Sequence, residues 1–397
     1  MISKKVKVGL VGIGSIGNTH LQYLNEMDTV ELVGVCDTDR ERADSKAKEY
    51  GTTAYYSHID MLEQSGLELI IIAVPHYDHP AIAMDAFERG IHVMCEKPIA
   101  VHLNDANRML AAYEAAKQHT PNLQFAIMFQ ERTSPFYSKL KEIVSSGELG
   151  ALTRVTWIHT QWFRSQAYYD SGGWRATWAG EGGGILTNQC PHTLDTYQWL
   201  FGIPARISGH AHIGKYHDIE VEDEVTAYFE HNNGMIGHLI VTTAELPGTN
   251  RLEVVGDQGK LIMESGKISL YRYPQAMQAF TRETEQRFAT WDITPEEVQV
   301  NESIPVGHKV VTDRLIRRLL GESVELIAEG PEGIGSLTLA NGIMLSSFEQ
   351  RPIDTPIDAD AYEAKLQELI RSSKYVKKVS EKASTNEDMS ASFSTNK

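Results

Sequence analysis

The sequence predicts an α/β protein in two parts. A doubly wound parallel sheet occupies residues 1–122, and an α/β domain with a largely antiparallel sheet occupies 123–375. Three observations predict this. Apolar runs at Val6–Val11, Leu32–Val35, Leu69–Val74 and His92–Glu96 alternate with helical stretches over short connections, the pattern of a parallel sheet covered on both faces. After Thr153 the apolar period drops to two, in Thr226–Phe229, Gly237–Thr242 and Lys267–Tyr271, punctuated by Asn232-Asn233-Gly234 and Asp257-Gln258-Gly259. The first apolar run also leads straight into Gly12-x-Gly14-x-x-Gly17 and a helix.

Each part of that opening unit has a physical task in binding a dinucleotide. Gly12 permits the tight turn, Gly14 lets the backbone approach a pyrophosphate, and Gly17 lets helix and strand pack closely. The helix start, with Ser15 and Ile16, offers free N–H groups and the positive end of the helix dipole to that anion. The second apolar run ends on Asp37, 20 positions after Gly17, where a carboxylate accepts hydrogen bonds from a ribose diol. The same carboxylate repels a 2′-phosphate, which favours NAD over NADP; Arg40 and Arg42 just downstream soften that preference. Further helices are expected at Pro80–Arg89, Leu103–Lys117, Pro135–Ser145, Lys309–Leu320, Gly333–Glu349 and Ala361–Ile370, and a strand at Gln124–Phe129. Residues 376–397 are rich in Ser, Thr, Asn and charge and are expected to be a disordered tail.

At 397 residues the chain can hold two or three domains, and 42% hydrophobic with 23% charged residues is ordinary for a soluble protein. A net charge of -16 argues against nucleic acid or an anionic membrane surface as partner. No apolar run reaches the roughly 18 residues of a membrane span, and MISKKVKVG runs directly into the first strand without a signal peptide. The three cysteines, Cys36, Cys95 and Cys190, are far apart in apolar or glycine-rich settings, the pattern of free thiols in a cytoplasmic protein.

Three constellations carry chemistry. Ala73-Val74-Pro75-His76-Tyr77-Asp78-His79 follows a buried strand, at the edge where doubly wound sheets bind ligands; it also reads as a polar turn capping a helix that begins at Pro80. The next strand delivers Glu96-Lys97-Pro98 to the same edge. Lys97 there either stabilises a developing oxyanion beside a nicotinamide or is a solvated lysine before a helix. The third is Glu181-Gly182-Gly183-Gly184 followed by Asn188, Pro191, His192 and Asp195. If that segment is helical, Asn188, His192 and Asp195 fall on one stripe, although Pro191 would interrupt it. A neutral His192 could take a proton from an alcohol, with Asp195 or Asn188 fixing its tautomer; the plainer reading is a buried, satisfied histidine. Trp157, His159, Gln161 and Trp162 alternate along a strand and suit either a sugar site, a sheet core or a subunit interface. His210-x-His212, with His217 and Asp218, has no further ligand set, so no metal is expected.

Taken together, GLVGIGSIG, CEKP, GGWR, GGGILTNQCPHTLD and GPEGIGSLTLANGIMLSS resemble the Gfo/Idh/MocA oxidoreductases over nearly the whole chain. The resemblance implies a Rossmann domain followed by an α/β domain with an open, mainly antiparallel sheet, often buried in a homo-oligomer, dimer or tetramer. It implies that Lys97 and His192 face the nicotinamide, that Glu96, Trp174 and Arg175 help to hold the cofactor, and that the Lys97–Pro98 bond is often cis. Pro75 and His79, by their place at the strand end, are expected to contact the cofactor as well. Many inositol-dehydrogenase-like members carry Asp four residues before the histidine; here it is Asn188, which cannot hold a proton. The expected activity is NAD-dependent oxidation of a secondary hydroxyl of a small sugar, glycoside or cyclitol, with Lys97 and His192 catalytic and Asn188, Asp195, Gln161 and Trp162 holding substrate. The alternatives are a glycosidase-like enzyme around tightly held NAD, without net NADH, and a non-catalytic NAD(H) sensor.

Overall fold

The computed structural model describes residues 4–379. Its first sheet holds β1 (Val6–Val11), β2 (Val30–Cys36), β3 (Thr53–Tyr55), β4 (Leu69–Ile72), β5 (His92–Cys95) and β6 (Phe125–Ile127). All pairings are parallel, in the order β3-β2-β1-β4-β5-β6. The order reverses between β1 and β4, which opens a crevice at the carboxyl ends of the strands. Every residue of β4 is buried, as a strand covered on both faces requires. Strand β6 carries this sheet past residue 122.

The second sheet has nine strands: β7 (Leu152–His159), β8 (Arg206–Ile213), β9 (Glu222–Glu230), β10 (Ile236–Thr242), β11 (Asn250–Gly256), β12 (Gly259–Glu264), β13 (Lys267–Arg272), β14 (Glu296–Val298) and β15 (Ile353–Asp354). Only β7 and β10 pair in parallel, so the two-residue period identified the class correctly. The Asn232–Gly234 and Asp257–Gly259 signals sit at the β9–β10 and β11–β12 turns. Along β9, Val225, Ala227 and Phe229 are buried, while Thr226 and Tyr228 face the other, open side. Two helices cover the buried face. Tyr197, in the helix Pro191–Phe201, has its ring 4.9 Å from that of Phe229. In the helix Gly333–Glu349, Ser346 Oγ accepts from the Gly209 amide at 2.9 Å.

The halves interlock. The helix His308–Leu319 leaves the second half and buries Val311, Leu315 and Ile316 in the same core as Leu10, Leu21 and Leu24. The Tyr23 hydroxyl meets Thr312 Oγ1 at 3.0 Å across that seam. Of the tail, residues 376–379 are described: Lys377 donates to the Tyr169 carbonyl and Lys378 pairs with Asp218. The disorder expected from 380 onward lies outside the described residues. Among the described residues no helix is long and apolar enough to cross a membrane.

Candidate active site

The glycine turn has the geometry a diphosphate needs. Gly12 takes φ +89°, and a Cβ there would strike the Ala73 carbonyl; one on Gly17 would strike the Gly12 carbonyl. A Cβ on Gly14, by contrast, would meet nothing within 4 Å. The helix Ser15–Asn25 starts at Gly14 with no side-chain cap and no acid in its first turn, so its leading amides and dipole are free for an anion. Asp37, at the tip of β2, accepts from the Ile13 amide at 2.9 Å and from the Asp39 amide at 2.9 Å, which ties the ribose-side carboxylate to the turn. Arg42 pairs with Asp37 at 3.2 Å and with Asp39 at 3.1 Å, and Arg40 lies over the Tyr56 ring. Both arginines are thus engaged by neighbours. These residues fit a dinucleotide with an unphosphorylated ribose diol.

Four loops meet beyond β4 and β5. Past Pro75, His76 Nδ1 lies 3.2 Å from the Glu181 carbonyl, and Tyr77 donates to the Trp178 carbonyl at 2.8 Å. His79 is fully buried, with Nδ1 2.8 Å from the Pro98 carbonyl and Nε2 3.0 Å from the Val74 carbonyl. Expected to help hold the cofactor, His79 sits between these two carbonyls; burial lowers its pKa, so the neutral ring donates to one of them while packed between the β4 loop and the Lys97–Pro98 loop. The Lys97–Pro98 bond is cis, as the resemblance implied. Burial alone would raise the Glu96 carboxyl; the hydrogen bond from His20 at 2.7 Å and the charges of His20, His308 and Lys97 override it and hold it at about 2. Glu96 therefore stays anionic beside Lys97.

Lys97 Nζ donates to the Asn188 carbonyl at 2.8 Å. Burial lowers its pKa, and Glu96 and Glu181 partly restore it. Asn188 does not share a helix with His192. Residues 185–190 form turns and the helix begins at Pro191, whose missing N–H costs nothing in a first turn. The stripe of Asn188, His192 and Asp195 is thereby corrected: only the last two are helical. Asn188 Nδ2 instead donates to the buried Glu181 carboxylate, and Tyr168 stands nearby, its hydroxyl receiving Arg175 at 2.8 Å. Arg175 also stacks on Trp174, whose ring lies 5.5 Å from that of His76. The glycines allow a close approach of backbones: a Cβ on Gly184 would enter the Glu222 carbonyl. The Glu222 carboxylate accepts from the Gly184 amide at 2.9 Å and the Leu186 amide at 3.1 Å.

His192 is buried, and burial together with the Lys97 charge drives its pKa well below the usual value, so it is a neutral base. Its Nε2 lies 2.8 Å from Gln130 Nε2. Asp195 does not serve His192 or open to a ligand. Arg132 grips both its oxygens, at 2.8 and 2.7 Å, and Gln198 adds a third bond at 2.9 Å. That corrects its expected place among the substrate contacts. At the end of β7, Gln161 is partly exposed, and Trp162 packs its ring 5.0 Å from His159 and shares a cavity with His192. Trp157 is sheet core, donating to Asn250 Oδ1 at 3.0 Å. Gln130, Glu131, Arg132, Tyr168, His20 and His308 had no motif to announce them; contacts distant in sequence bring them in. Glu181 heads the glycine constellation, where the sequence assigns it no role. His217 pairs with Asp223 at 3.0 Å, and among the described residues no group of three ligands is placed to hold a metal.

Comparison with known proteins agrees with the fold. A model of the GFO/IDH/MocA oxidoreductase family, NAD-binding Rossmann fold, matches residues 6–122, and that family's C-terminal domain matches 137–262. The inositol 2-dehydrogenase of Salmonella typhimurium is 35% identical over 148 residues, 36% of this chain and 43% of that protein. The glucose-6-phosphate 3-dehydrogenase of Bacillus subtilis is 24% identical over 280 residues, 67% of this chain and 76% of that protein. The chain thus spans less than half the length of the Salmonella relative it matches. The WlbA dehydrogenase of Chromobacterium violaceum, solved with NADH and UDP-GlcNAcA, superposes with a TM-score of 0.75 at 27% identity, covering 90% of this chain and 98% of that one. Levoglucosan dehydrogenase, solved with NADH and levoglucosan, shares the fold with a TM-score of 0.73 at 17% identity, over 89% of this chain and all of that one.

Proposed function

The chain belongs to the Gfo/Idh/MocA oxidoreductase family, and from that premise we propose that it is an NAD-dependent dehydrogenase of a secondary hydroxyl on a sugar, glycoside or cyclitol. The observation that carries the reading is the bond from Lys97 Nζ, on the β5 loop, to the carbonyl of Asn188, four residues before His192. It ties the loop that carries Lys97 to the turn that leads into His192, so residues from the two halves approach each other at the end of the sheet where the glycine turn lies. Bound NAD supplies the acceptor for the carbinol hydride. His192 takes the hydroxyl proton while the Lys97 ammonium stabilises the alkoxide-like oxygen. Glu96 keeps compensating charge beside that ammonium. In this reading Asn188, Gln161 and Trp162 hold neighbouring hydroxyls. The three buried free thiols support a reducing, cytoplasmic setting, and the open face of the second sheet, where Ile240 is exposed, supports a homo-oligomer.

The test is NADH formation measured against inositols, glucose, glucose 6-phosphate, levoglucosan and glucosides, with NAD and NADP compared. Turnover with one of these and NAD is expected, and Lys97→Ala should lower it by about 100-fold or more with NAD affinity near wild type. Unchanged turnover in that variant removes Lys97 from the chemistry. A wild-type protein that binds NAD yet oxidises nothing in the panel overturns the reading.

A further inference from the structure

A half-buried carboxylate that plays no part in the reading above shares a cavity with His192. Glu131 lies in the turn Gln130–Thr133, between β6 and the helix Pro135–Ser146. With Tyr137, His159, Trp162 and His192 it lines a cavity of about 10 Å³, the size that admits one water. Two side chains around this cavity carry polar atoms that meet no protein partner, the Trp162 indole Nε1 and His192 Nδ1. Both residues are more than nine-tenths buried, with 8% and 5% of their surface exposed. Of the other carboxylates near His192, Asp195 is spent on Arg132 and Gln198, and Glu96 is bonded to His20.

The tautomer of His192 depends on how the Gln130 amide lies, since Gln130 Oε1 has no protein partner either. With Gln130 Nε2 toward the ring, it donates, so His192 Nε2 accepts and the ring hydrogen sits on Nδ1. Nε2 is then the basic nitrogen, which a substrate hydroxyl reaches by displacing the Gln130 amide from it, and Nδ1–H is the donor without a protein partner. Resting on the dehydrogenase reading, we propose that Glu131 acts through His192 as the carboxylate that receives the reaction's proton, across a water held in this cavity. The substrate O–H bond breaks and its proton goes to Nε2. The proton on Nδ1 passes through the water to Glu131, which returns the imidazole to neutrality. The C–H electron pair leaves as hydride to NAD, so carbonyl product, NADH and a protonated Glu131 balance the step. After product leaves, the Nε2 proton passes to solvent and Glu131 returns its proton through the water to Nδ1, which restores the starting tautomer.

The electrostatics favour this direction. Burial and Lys97 make His192 a poor long-term holder of a second proton, whereas burial pushes the Glu131 carboxyl up to about 7. The groups facing Glu131 are Tyr137 from the helix Pro135–Ser146, His159 from β7 and His192 from the helix Pro191–Phe201. Burial lowers His159 to about 3, and it bonds Thr193; burial keeps Tyr137 a phenol. Arg132, next in the chain, is committed to Asp195 and Glu332. No cation among these holds Glu131 ionised at low pH.

The experiment pairs Glu131→Gln and Glu131→Asp in the NAD-loaded protein. Wild-type kcat should rise with pH through about 7, as the carboxylate forms. Glu131→Gln should lose that limb and about 100-fold in kcat above it, with KM little changed, and Glu131→Asp should recover most of the loss. Carbon-13 NMR of glutamate-carboxyl-labelled protein gives a readout that needs no turnover. A resonance absent from Glu131→Gln should titrate near pH 7 and shift its midpoint in His192→Gln. Titration in the ordinary glutamate range, a midpoint indifferent to His192, or a pH limb that survives in Glu131→Gln overturns the proposal. Failure of the wild type to form NADH overturns the dehydrogenase reading alone, and the carboxyl titration still decides whether Glu131 and His192 are coupled.

Discussion

At the scale of single residues, the site separates charges that do chemistry from charges that hold the frame. Arg132 and Asp195 are the clearest frame pair, since both are almost wholly buried and each oxygen of Asp195 is bonded. Removing one partner of such a pair strands the other in low dielectric, which costs about 3–5 kcal/mol. Asp195→Asn should therefore lower the urea midpoint by a corresponding amount with the slope unchanged, and any loss of turnover should track the loss of folded protein. A variant as stable as wild type that fails only in KM would return Asp195 to the substrate contacts. Sequence spacing misled here because it measures distance along the chain: His192 and Asp195 are three apart, yet Asp195 meets an arginine from the loop after β6. Glycines with steric reasons to be glycine were legible for the opposite cause, since Gly12, Gly14 and Gly17 answer to their own local turn. Lys97 and His192 were legible mainly through resemblance. Glu131, a single acid without a motif, was not, and Glu181 was visible at the head of the glycine segment without its role.

At the scale of elements, most helices and strands followed from local pattern, and the informative miss is the segment between Glu181 and Pro191. Its apolar and polar residues read as helix, but Pro191 sets the helix start and the preceding residues turn. What shapes that turn is β9, through the Glu222 carboxylate bonding the Gly184 and Leu186 amides, a partner some 36 residues away and invisible to a periodicity reading. The turn in turn presents the Asn188 carbonyl to Lys97 and starts the helix that carries His192. Gly184→Ala would drive a Cβ into the Glu222 carbonyl, so the turn must shift. Displacing reacting groups by about 1 Å costs on the order of 100-fold in rate. The expected outcome is a loss of that order in kcat, with NAD affinity, measured by calorimetry, within about twofold of wild type. A variant with full turnover would mean that the turn is slack and that the loops are held by other contacts.

At the scale of the whole molecule, the helix His308–Leu319 makes the two sheets one folding unit. It belongs by sequence to the second half, yet Leu315 and Ile316 are fully buried in the core built by β1 and the helix Ser15–Asn25. His308 at its start lies 3.8 Å from Glu96, so the seam also reaches the residue beside Lys97. Cofactor bound to the first sheet stabilises only the native state, by about 2.7 kcal/mol at a hundredfold excess over Kd. If the seam couples the halves, that stabilisation reaches the second sheet too. The chain offers a natural probe, because all six tryptophans lie from residue 157 onward, outside the glycine-turn half. Saturating NAD should therefore move the tryptophan-fluorescence unfolding midpoint as far as the midpoint seen by circular dichroism, in a single transition. Leu315→Ala, which empties part of the seam at a cost of about 2–5 kcal/mol, should split the transition and leave the tryptophan midpoint insensitive to NAD. Two transitions already present in the wild type, with only the first responding to NAD, would show that the helix merely rests on the first sheet.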